Sequence, residues 1–417
     1  MDKPKRESII PSYQEVIEEV NSAFVSNNAL SALYVNCSKL NNIEKHFGKK
    51  VYMDILKKIH VVLNNLKGKQ IRIDDIIVST EVASDEYIIF LSKKRVDLEF
   101  SPTGLENLCE RITEYLNDSI SPITFQYLRG RPKIVVGYAV IIHNPLIRDE
   151  RLMNKLIEDA KLMSTYQDFK RLMRNKEKLQ ELILKESIRT FFHPIVDLTN
   201  NSVIGYEALT RGPAETEYEH PYILFDVAED TDLLFELDQL CRKKALENAK
   251  GILPGLKLFV NCLPSAVLDP KFRDTYLRDC LRDLDLNPST IVLEVTERQA
   301  IEQYDLFMEA AQYYADMGFA IAVDDTGAGY SSLETVVELK PQYIKLDISI
   351  VREIDKNILK QELIKAIVGL SKQMRSTVIA EGVETVGELN TLKEIGIKFG
   401  QGFLFAKPGP PFPDINL

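Results

Sequence analysis

The second part of the chain repeats one pattern, in which a short apolar run is followed by a longer stretch with helical spacing. The runs begin near residue 191, and helical patterns separate most of them, for example over 226–250, 302–317 and 360–374. Strands that alternate with helices over about 225 residues are typical of parallel strands in a (β/α)₈ barrel. The runs are FFHPIV, VIGYEAL, LKLFVN, TIVLEVTE, FAIAVDD, YIKLD, TVIAEG and KFGQGFLF.

The first two apolar runs depart from this pattern. They cover 191–196 and 203–209, and only the segment DLTNNS joins them. A connection this short leaves no room for a crossover helix, so the two strands are predicted to be antiparallel. The sequence therefore predicts a TIM-like α/β barrel over residues 189–417 with one antiparallel strand.

The first part of the chain has a mixed pattern. Its helical and strand-like stretches alternate irregularly, which predicts an α+β domain over residues 1–165. A charged helical run without Gly or Pro extends from 150 to 188, and its second half, 166–188, is predicted to be a linking helix. Helices are predicted over 12–27, 51–66 and 105–116, and strands over 32–35, 71–82, 87–91 and 133–142.

Composition and charge restrict the class of protein. The chain has 417 residues, a formal net charge of −10 and five cysteines without metal-binding spacing. The negative charge argues against nucleic acid as a partner. Scattered cysteines without a spacing pattern are typical of a cytosolic protein in which they stay reduced. No run approaches the ~20 apolar residues of a membrane span, and the first residues lack the apolar core of a secretion signal. We therefore expect a cytoplasmic protein.

Polar residues recur at the carboxyl ends of the apolar runs. In a barrel these ends share one face, which is where barrel active sites lie. Carboxylate and amide oxygens suit Mg²⁺ or Mn²⁺, and the absence of His and Cys from this group argues against zinc. A two-metal carboxylate site is suited to hydrolysis of a phosphodiester. The residues are Glu207, Asn261, Glu294, Asp324, Asp325, Lys345, Glu381 and Gln401.

Two of these carboxylates, Asp324 and Asp325, are adjacent in the sequence. Neighbouring side chains of a strand point to opposite sides, so a shared metal requires the backbone to turn at this point. Gly327 and Gly329 permit such a turn. The alternative is a solvated Asp-Asp turn without a metal. Arg211, four positions beyond Glu207, is a candidate for binding a phosphate.

The segment EALTR, residues 207–211, resembles the signature of EAL-domain cyclic-di-GMP phosphodiesterases. The resemblance covers about 189–417 and implies hydrolysis of cyclic di-GMP to linear pGpG with two Mg²⁺ or Mn²⁺ ions. It also implies a homodimer formed through this domain. The further segments that carry the resemblance, in order, are VNCLP, LEVTE, DDTGAGYSSL, IKLD, AEGVE and QGFLFAKP.

The resemblance implies a role for each residue of the group. The first ion would be held by Glu207, Asn261, Glu294 and Asp324, and the second by Asp324 and Asp325. Lys345 and Glu381 would orient or deprotonate the attacking water, Gln401 would complete the face, and Arg211 would contact a substrate phosphate. Glu297 would anchor the loop 324–333, and Glu384 would support the pocket.

The sequence departs from the family pattern at positions that are not metal ligands. Thr326 and Ala328 replace Phe and Thr of the common DDFGTG loop, and Gly212 stands where Trp is frequent. His193 replaces the usual Gln before Pro194. Two interpretations of His193 stay open, a contact with the ligand and an ordinary histidine of a strand.

The first domain resembles a GGDEF, or diguanylate cyclase, domain in an eroded form. ASDEY, residues 83–87, lies at the signature hairpin, and Asn36 stands where the family has its first metal-binding aspartate. Glu44 and Lys45 replace the guanine-contacting Asn and Asp, and the two loop glycines are Ala83 and Ser84. The resemblance therefore implies a regulatory or dimerising domain without cyclase activity, and binding of GTP or another nucleotide there stays open.

Three functions are compatible with this pattern. The first is an active phosphodiesterase, and the second is a cyclic-di-GMP receptor that does not hydrolyse its ligand. The third is a partner-binding module whose former active site has lost its function. Receptors of this kind usually lack one or more metal-binding carboxylates, and this sequence lacks none. The sequence therefore favours hydrolysis.

Overall fold

The computed structural model describes residues 10–81, 84–91, 102–128, 131–269, 281–284, 286–296, 304–327 and 337–415. Predictions that concern Ala83, Glu297, Ala328 and Gly329 lie outside these ranges. The chain divides into two compact units, Met1–Asn175 and Lys176–Leu417. This division falls inside the segment 166–188, for which a linking helix is predicted.

The first unit contains an antiparallel sheet of four strands in the order β2–β3–β1–β4. Successive residues of β1 face opposite sides, as the pleat of a strand requires. Leu33 and Val35 pack in one core cluster, whereas Ala32 and Tyr34 pack in another. The strands are β1 Ala29–Asn36, β2 Ile76–Ser79, β3 Glu86–Leu91 and β4 Val135–Ile142, and the helices are α1 Tyr13–Asn27, α2 Asn41–Asn64, α3 Pro102–Thr124 and α4 Asp149–Leu184.

The predicted strand over 71–82 is wrong in its first part, because β2 begins only at Ile76. Asp75 accepts a 2.8 Å hydrogen bond from the Arg72 N–H through Oδ2, and the Asp75 N–H donates to the Arg72 carbonyl at 3.3 Å. Asp side chains commonly form such local turns in competition with strand pairing. The polar residues after Ile71 therefore form a turn rather than a strand.

The second unit contains a closed barrel of eight strands, β5 to β12 in chain order, with β12 paired to β5. Its centre contains a cluster of buried apolar side chains from several strands, including Ile195, Phe259 and Ile379. The strands are β5 Arg189–Asp197, β6 Ser202–Arg211, β7 Lys257–Asn261, β8 Ile291–Thr296, β9 Ala320–Thr326, β10 Tyr343–Leu346, β11 Thr377–Ala380 and β12 Phe399–Gly400. The helices are α5 Pro221–Asp230, α6 Leu234–Asn248, α7 Tyr304–Asp316, α8 Ile348–Val351, α9 Ile358–Met374 and α10 Val386–Ile395.

Strand β5 is the antiparallel exception. It runs antiparallel to both of its neighbours, β6 and β12, whereas every other pair of neighbours in the barrel is parallel. The short connection 198–201 forms the turn of a β5–β6 hairpin. The predicted barrel with one antiparallel strand is confirmed.

The last predicted strand, KFGQGFLF, is wrong in length. Strand β12 contains only Phe399 and Gly400, after which the chain turns over the end of β11. The Leu404 N–H donates to the Val383 carbonyl at 3.1 Å, and a Cβ atom on Gly402 would lie 2.1 Å from the same carbonyl oxygen. Glycine at 402 therefore allows the turn that places Gln401 directly after the strand.

None of the helices in the described ranges is both long and apolar enough to cross a membrane.

Candidate active site

The carboxyl ends of the barrel strands bring together the polar residues that the sequence pattern singles out. Strand β6 carries Glu207, β7 ends at Asn261, β8 carries Glu294, β9 carries both aspartates and β10 carries Lys345. Glu381 and Gln401 directly follow β11 and β12. Glu207 lies four residues before the end of β6, because the last part of this strand extends beyond β7 and pairs only with β5.

Lys345 is the centre of the site. Its side chain is 1% exposed, and its Nζ atom lies within ion-pair distance of four carboxylates. The distances from Nζ are 2.6 Å to Glu381 Oε1, 2.8 Å to Glu294 Oε1, 3.4 Å to Asp324 Oδ1 and 3.5 Å to Glu207 Oε1. One ammonium group among four carboxylates leaves an excess of three negative charges when all five groups are ionised.

Burial and this excess of negative charge raise the pKa values of three of the four acids. Burial raises the pKa of Glu294 and Glu381 well above the ordinary value for glutamate, and it also raises the pKa of Asp324. Lys345 opposes the effect at each of them, but the neighbouring carboxylates reinforce it. These three acids hold their protons in the absence of another cation more strongly than exposed acids do.

Glu207 and Lys345 differ from these three acids. Burial raises the pKa of Glu207, but Lys345 and His193, together with amide donors, outweigh burial and hold the pKa below its ordinary value. Burial favours the neutral amine of Lys345, but the four carboxylates outweigh this and raise its pKa well above the ordinary value. These opposite shifts favour the charged forms of both Lys345 and Glu207.

A β-bulge presents Asp324 and Asp325 to the same site. Between β9 and β10 the register shifts, so that three steps from Val323 to Thr326 oppose two steps from Ile344 to Leu346. Asp325 has φ of +58°, in the left-handed region, and its N–H donates to Asp324 Oδ1 at 2.9 Å. A bulge re-aims side chains that would alternate in a regular strand. The backbone turn that a shared metal requires is present at Asp325 itself.

Amide groups surround Glu207. Gln401 Nε2 donates to Glu207 Oε2 at 2.9 Å, and Asn261 Nδ2 lies 3.4 Å from both Glu207 Oε1 and Glu294 Oε2. His193 is opposite Glu207 in the β5–β6 ladder, and its Nε2 atom lies 3.1 Å from the Ala406 carbonyl. Burial lowers the pKa of His193, and because a carbonyl oxygen only accepts, Nε2 is the donor of this hydrogen bond.

The donor set fits divalent metal ions. Glu207, Glu294 and Asp324 each offer a carboxylate oxygen, and these oxygens lie within 4.8 Å of one another. A second group with the same spacing consists of Asp324, Asp325 and Glu381, so Asp324 is common to both. Hard cations such as Mg²⁺ and Mn²⁺ prefer oxygen ligands, and metal binding displaces protons from acids with raised pKa values. The identity of the ion is not specified by these ligands.

Arg211 interacts electrostatically with Glu207 but forms no ion pair with the carboxylates of the site in the described residues. It is at the end of β6, on the same side of the strand as Glu207, since the two are four residues apart. Its guanidinium lies 5.6 Å from the centre of the Phe191 ring, and Nη1 donates to the Thr210 carbonyl at 2.8 Å. Burial lowers its pKa and Glu207 opposes that effect, which places Arg211 within electrostatic reach of the site.

Glu384 is not part of the carboxylate cluster. Its side chain is partly exposed and pairs with Arg352 Nη2 at 3.0 Å. Its backbone N–H donates to Glu388, which caps the first turn of α10. Support of the pocket by Glu384 stays a prediction, and so does anchoring of the loop 324–333 by Glu297.

One feature near the site was not recognised from the sequence. Arg242 on α6 is fully buried and contacts two buried acids, Asp238 and Asp269. The spacing of Asp238 and Arg242, which places both on one face of a helix, was the available sign. These three residues are called the Asp238 network below.

The fold and the site together define a TIM-like barrel with a carboxylate-rich site suited to divalent metal ions. Residues 176–408 match the family model of the EAL domain. The chain therefore belongs to the EAL-domain family.

Two curated relatives are described as phosphodiesterases. PdeG of Escherichia coli (strain K12), a probable cyclic di-GMP phosphodiesterase, is 31% identical over 246 residues, which cover 56% of this chain and 48% of PdeG. PdeR of the same strain, a cyclic di-GMP phosphodiesterase, is 35% identical over 210 residues, 49% of this chain and 31% of PdeR. The chain thus spans less than half the length of these relatives.

Solved structures share the barrel. The PaMucR phosphodiesterase in complex with c-di-GMP superposes with a TM-score of 0.52 and 27% identity, covering 57% of this chain and 98% of that structure. The FimX EAL domain of Xanthomonas citri, also in complex with c-diGMP, has a TM-score of 0.54, 21% identity and coverage of 59% and 97%. At this identity the second comparison concerns the fold alone.

Proposed function

We propose that the second unit hydrolyses cyclic di-GMP to linear pGpG by a two-metal mechanism. The observation that carries this proposal is the complete set of carboxylates around Lys345, with Asp324 common to two groups of acidic oxygens. The phosphodiesterase relatives and the c-di-GMP complex of a similar barrel support the choice of substrate.

The residues that would hold the ions are those of the two acidic groups and Asn261. Glu207, Asn261, Glu294 and Asp324 would bind the first ion, and Asp324 and Asp325 the second. When bound, such an ion pair lowers the pKa of coordinated water and stabilises negative charge on the phosphate.

Glu381 and Lys345 are proposed to handle the proton of the attacking water. Glu381 is the most exposed of the four acids around Lys345, with a side chain 20% exposed, so it faces the opening of the site. Its carboxylate would accept the proton at Oε2, while Oε1 stays within 2.6 Å of Lys345 Nζ. Lys345 would hold Glu381 in place and donate to the water from its remaining N–H groups.

Arg211 and Gln401 are proposed to act on the substrate side. Arg211 is cationic and half-exposed at the end of β6, which suits a contact with a phosphate oxygen of cyclic di-GMP. Gln401 holds the Glu207 carboxylate in orientation through its 2.9 Å hydrogen bond. His193 contacts the Ala406 carbonyl, which favours the structural interpretation of this residue over a contact with the ligand.

For the first unit we propose a degenerate GGDEF-like fold with a regulatory role. Its four-stranded antiparallel sheet, in which β2 and β3 are antiparallel neighbours and Ser84 and Asp85 directly precede β3, supports this assignment. Asn36 Oδ1 accepts a 2.9 Å hydrogen bond from the Ser38 N–H, so this side chain is used locally. A homodimer through the EAL domain and nucleotide binding by the first unit are further parts of the proposal.

Incubation of the purified chain with cyclic di-GMP tests the proposed function. With Mg²⁺ or Mn²⁺ the product should be pGpG, separated by ion-pair chromatography, and a chelator should stop its formation. The control is Glu207→Gln, which should bind cyclic di-GMP without producing pGpG. Tight binding by the wild type without any product, across both metals, would instead support the receptor function.

A further inference from the structure

A buried network of charges connects helix α6 to the segment that follows Asn261. Strand β7 ends at Asn261, and a 3₁₀ turn, Pro264–Leu268, comes directly after it. Two residues of α6 contact this segment: Asp238 near its beginning, at Leu263, and Arg242 at its end, at Asp269. The segment 262–269 is therefore tied to α6 at both ends.

The distances within the network are short and its members are buried. Asp238 Oδ1 accepts a 3.2 Å hydrogen bond from the Leu263 N–H, and Asp238 Oδ2 accepts a 2.7 Å bond from Arg242 Nε. Arg242 Nη2 lies 3.5 Å from Asp269 Oδ2, which also accepts a 2.9 Å bond from Gln239 Nε2. Asp238, Arg242 and Asp269 are 5%, 0% and 1% exposed.

Asn261 needs such a support more than the other residues of the site. Glu207, Glu294, Asp324 and Lys345 are buried and held by surrounding side chains, whereas Asn261 is exposed. Its amide nitrogen is 3.4 Å from each of two carboxylates, which is a weak restraint at best. The position of its side chain therefore depends on the backbone on either side of it.

We propose that Asp238 and Arg242 are positioning residues for Asn261. By fixing the segment 262–269 they hold the backbone at the end of β7, and with it the Asn261 amide, against the carboxylate cluster. This inference rests on the metal site of the proposed function, in which Asn261 is the ligand least restrained by packing. Neither Asp238 nor Arg242 contacts a carboxylate of the site in the described residues.

The competing interpretation is that the network only stabilises the barrel. Removing one member of a buried ion network leaves an uncompensated charge and lowers the stability of the fold wherever the network lies. A test must therefore separate metal affinity from stability. It should also break the contact with the segment without disturbing the ion pairs.

Leu263→Pro meets this requirement. Leu263 has φ of −71° and ψ of 145°, which a proline adopts without strain, and proline has no N–H to donate to Asp238. The preceding Cys262 N–H donates to the Glu294 carbonyl at 2.9 Å, and this bond does not involve the N–H that the proline removes. Leu263→Ala is the matched control, because it removes the side chain but keeps the N–H.

The measurement is the affinity for Mn²⁺ of the full chain, from the electron paramagnetic resonance signal of the free ion. We expect Leu263→Pro to weaken binding about tenfold, the scale of losses when an outer support of a metal ligand is removed, and Leu263→Ala to bind as the wild type does. Asn261→Ala should give a similar loss. The double variant Leu263→Pro with Asn261→Ala should bind no more weakly than Asn261→Ala alone, because both changes remove the same contribution.

A second pair of variants covers the case in which Leu263→Pro does not fold. Asp238→Asn keeps the size of the side chain and alters the same contacts, and it enters the same double-variant cycle with Asn261→Ala. Thr231→Val, which removes a buried hydroxyl bonded to the Val227 carbonyl at 2.7 Å, is the control for loss of stability alone. It should lower the melting temperature and leave Mn²⁺ affinity unchanged.

Two results would overturn the inference. Wild-type Mn²⁺ affinity in folded Leu263→Pro or Asp238→Asn would show that the network does not act on the metal site. Losses that multiply in the double variants would show that it acts on a ligand other than Asn261. A wild type that binds Mn²⁺ but leaves cyclic di-GMP intact would contradict the proposed hydrolysis instead, and the binding cycle would still be measured.

Discussion

Asp325 donates its backbone N–H to the Oδ1 atom of Asp324, its neighbour in the sequence, across 2.9 Å. The bond closes the bulge of β9, in which Asp325 takes a φ of +58°. A side chain in this left-handed region is strained, by about 1–3 kcal/mol for residues outside Gly, with Asn and Asp the best tolerated. The chain thus accepts local strain where two adjacent acids face the same site.

We predict that Asp325→Asn abolishes most turnover but leaves binding of cyclic di-GMP measurable. Asn tolerates a positive φ, so the bulge is kept, while one ionic ligand is lost. The expected drop in turnover is at least about tenfold, the scale of a weakened metal site. Steady-state rates and calorimetric titration with cyclic di-GMP check it, and unchanged turnover would mean that Asp325 holds no ion.

Replacement of Lys345 by Met should destabilise the metal-free protein by about 3–5 kcal/mol, because it leaves four acids, three of them buried, without their cation. Mn²⁺ should restore part of this loss, since the ion supplies the missing positive charge. Urea unfolding with and without Mn²⁺ measures both effects. Lys365→Met, at an exposed lysine paired with Glu362 at 2.8 Å, is the control and should change stability by less than about 0.5 kcal/mol.

The stability of the metal-free barrel should fall as the pH rises above the ordinary pKa of exposed acids, about 4. The pKa values of Glu294, Asp324 and Glu381 are raised in the folded state. At pH values above the ordinary pKa of acids, the folded state therefore binds more protons than the unfolded state. Because these protons leave when an ion binds, Mn²⁺ affinity should increase over the same range. Melting temperatures with chelator or Mn²⁺ should diverge with pH, and parallel curves would contradict this.

The first unit should not synthesise cyclic di-GMP from GTP. The two acids of the segment ASDEY are used within the unit, since Tyr52 Oη lies 3.2 Å from Asp85 Oδ2 and Lys161 Nζ lies 3.1 Å from Glu86 Oε1. Incubation of the full-length Glu207→Gln variant with GTP and Mg²⁺ checks this, because this variant should not hydrolyse any cyclic di-GMP that the first unit makes. Accumulation of cyclic di-GMP would overturn the assignment, whereas GTP-stimulated hydrolysis by the wild type would make the unit a nucleotide sensor.

The barrel could be predicted from the sequence because the pattern that indicates it, alternating strands and helices, extends over many residues. Each apolar run can shift by a residue or two without changing the alternation of strands and helices, and the short segment before Ser202 excludes a crossover. For the same reason the polar residues at the strand ends could be grouped before any distance was known. Their convergence follows from topology rather than from side-chain detail.

Features that depend on single backbone angles could not be predicted. The sequence indicated a turn near Asp324, but assigned it to the glycines that follow, whereas the left-handed residue is Asp325 itself, with Gly327 at φ of +99°. The end of the last strand was also missed, because only the approach of Gly402 to the Val383 carbonyl shows that the chain must turn there. Likewise, the contact between Arg242 and Asp269 joins residues that no local pattern relates.

The pairing of β12 with β5 has a consequence for how the protein is made. The first strand of the barrel, β5, can pair with the last strand, β12, only after β12 has been synthesised. This pairing consists of two residue pairs, Phe399 with Asp197 and Gly400 with Val196. Gln401, which orients Glu207, is synthesised about 190 residues after it. A growing chain on the ribosome therefore carries most of the proposed metal ligands in an open sheet with exposed edges, and such edges are prone to aggregation. Closure of the barrel and completion of the site should thus occur together, once β12 has left the ribosome.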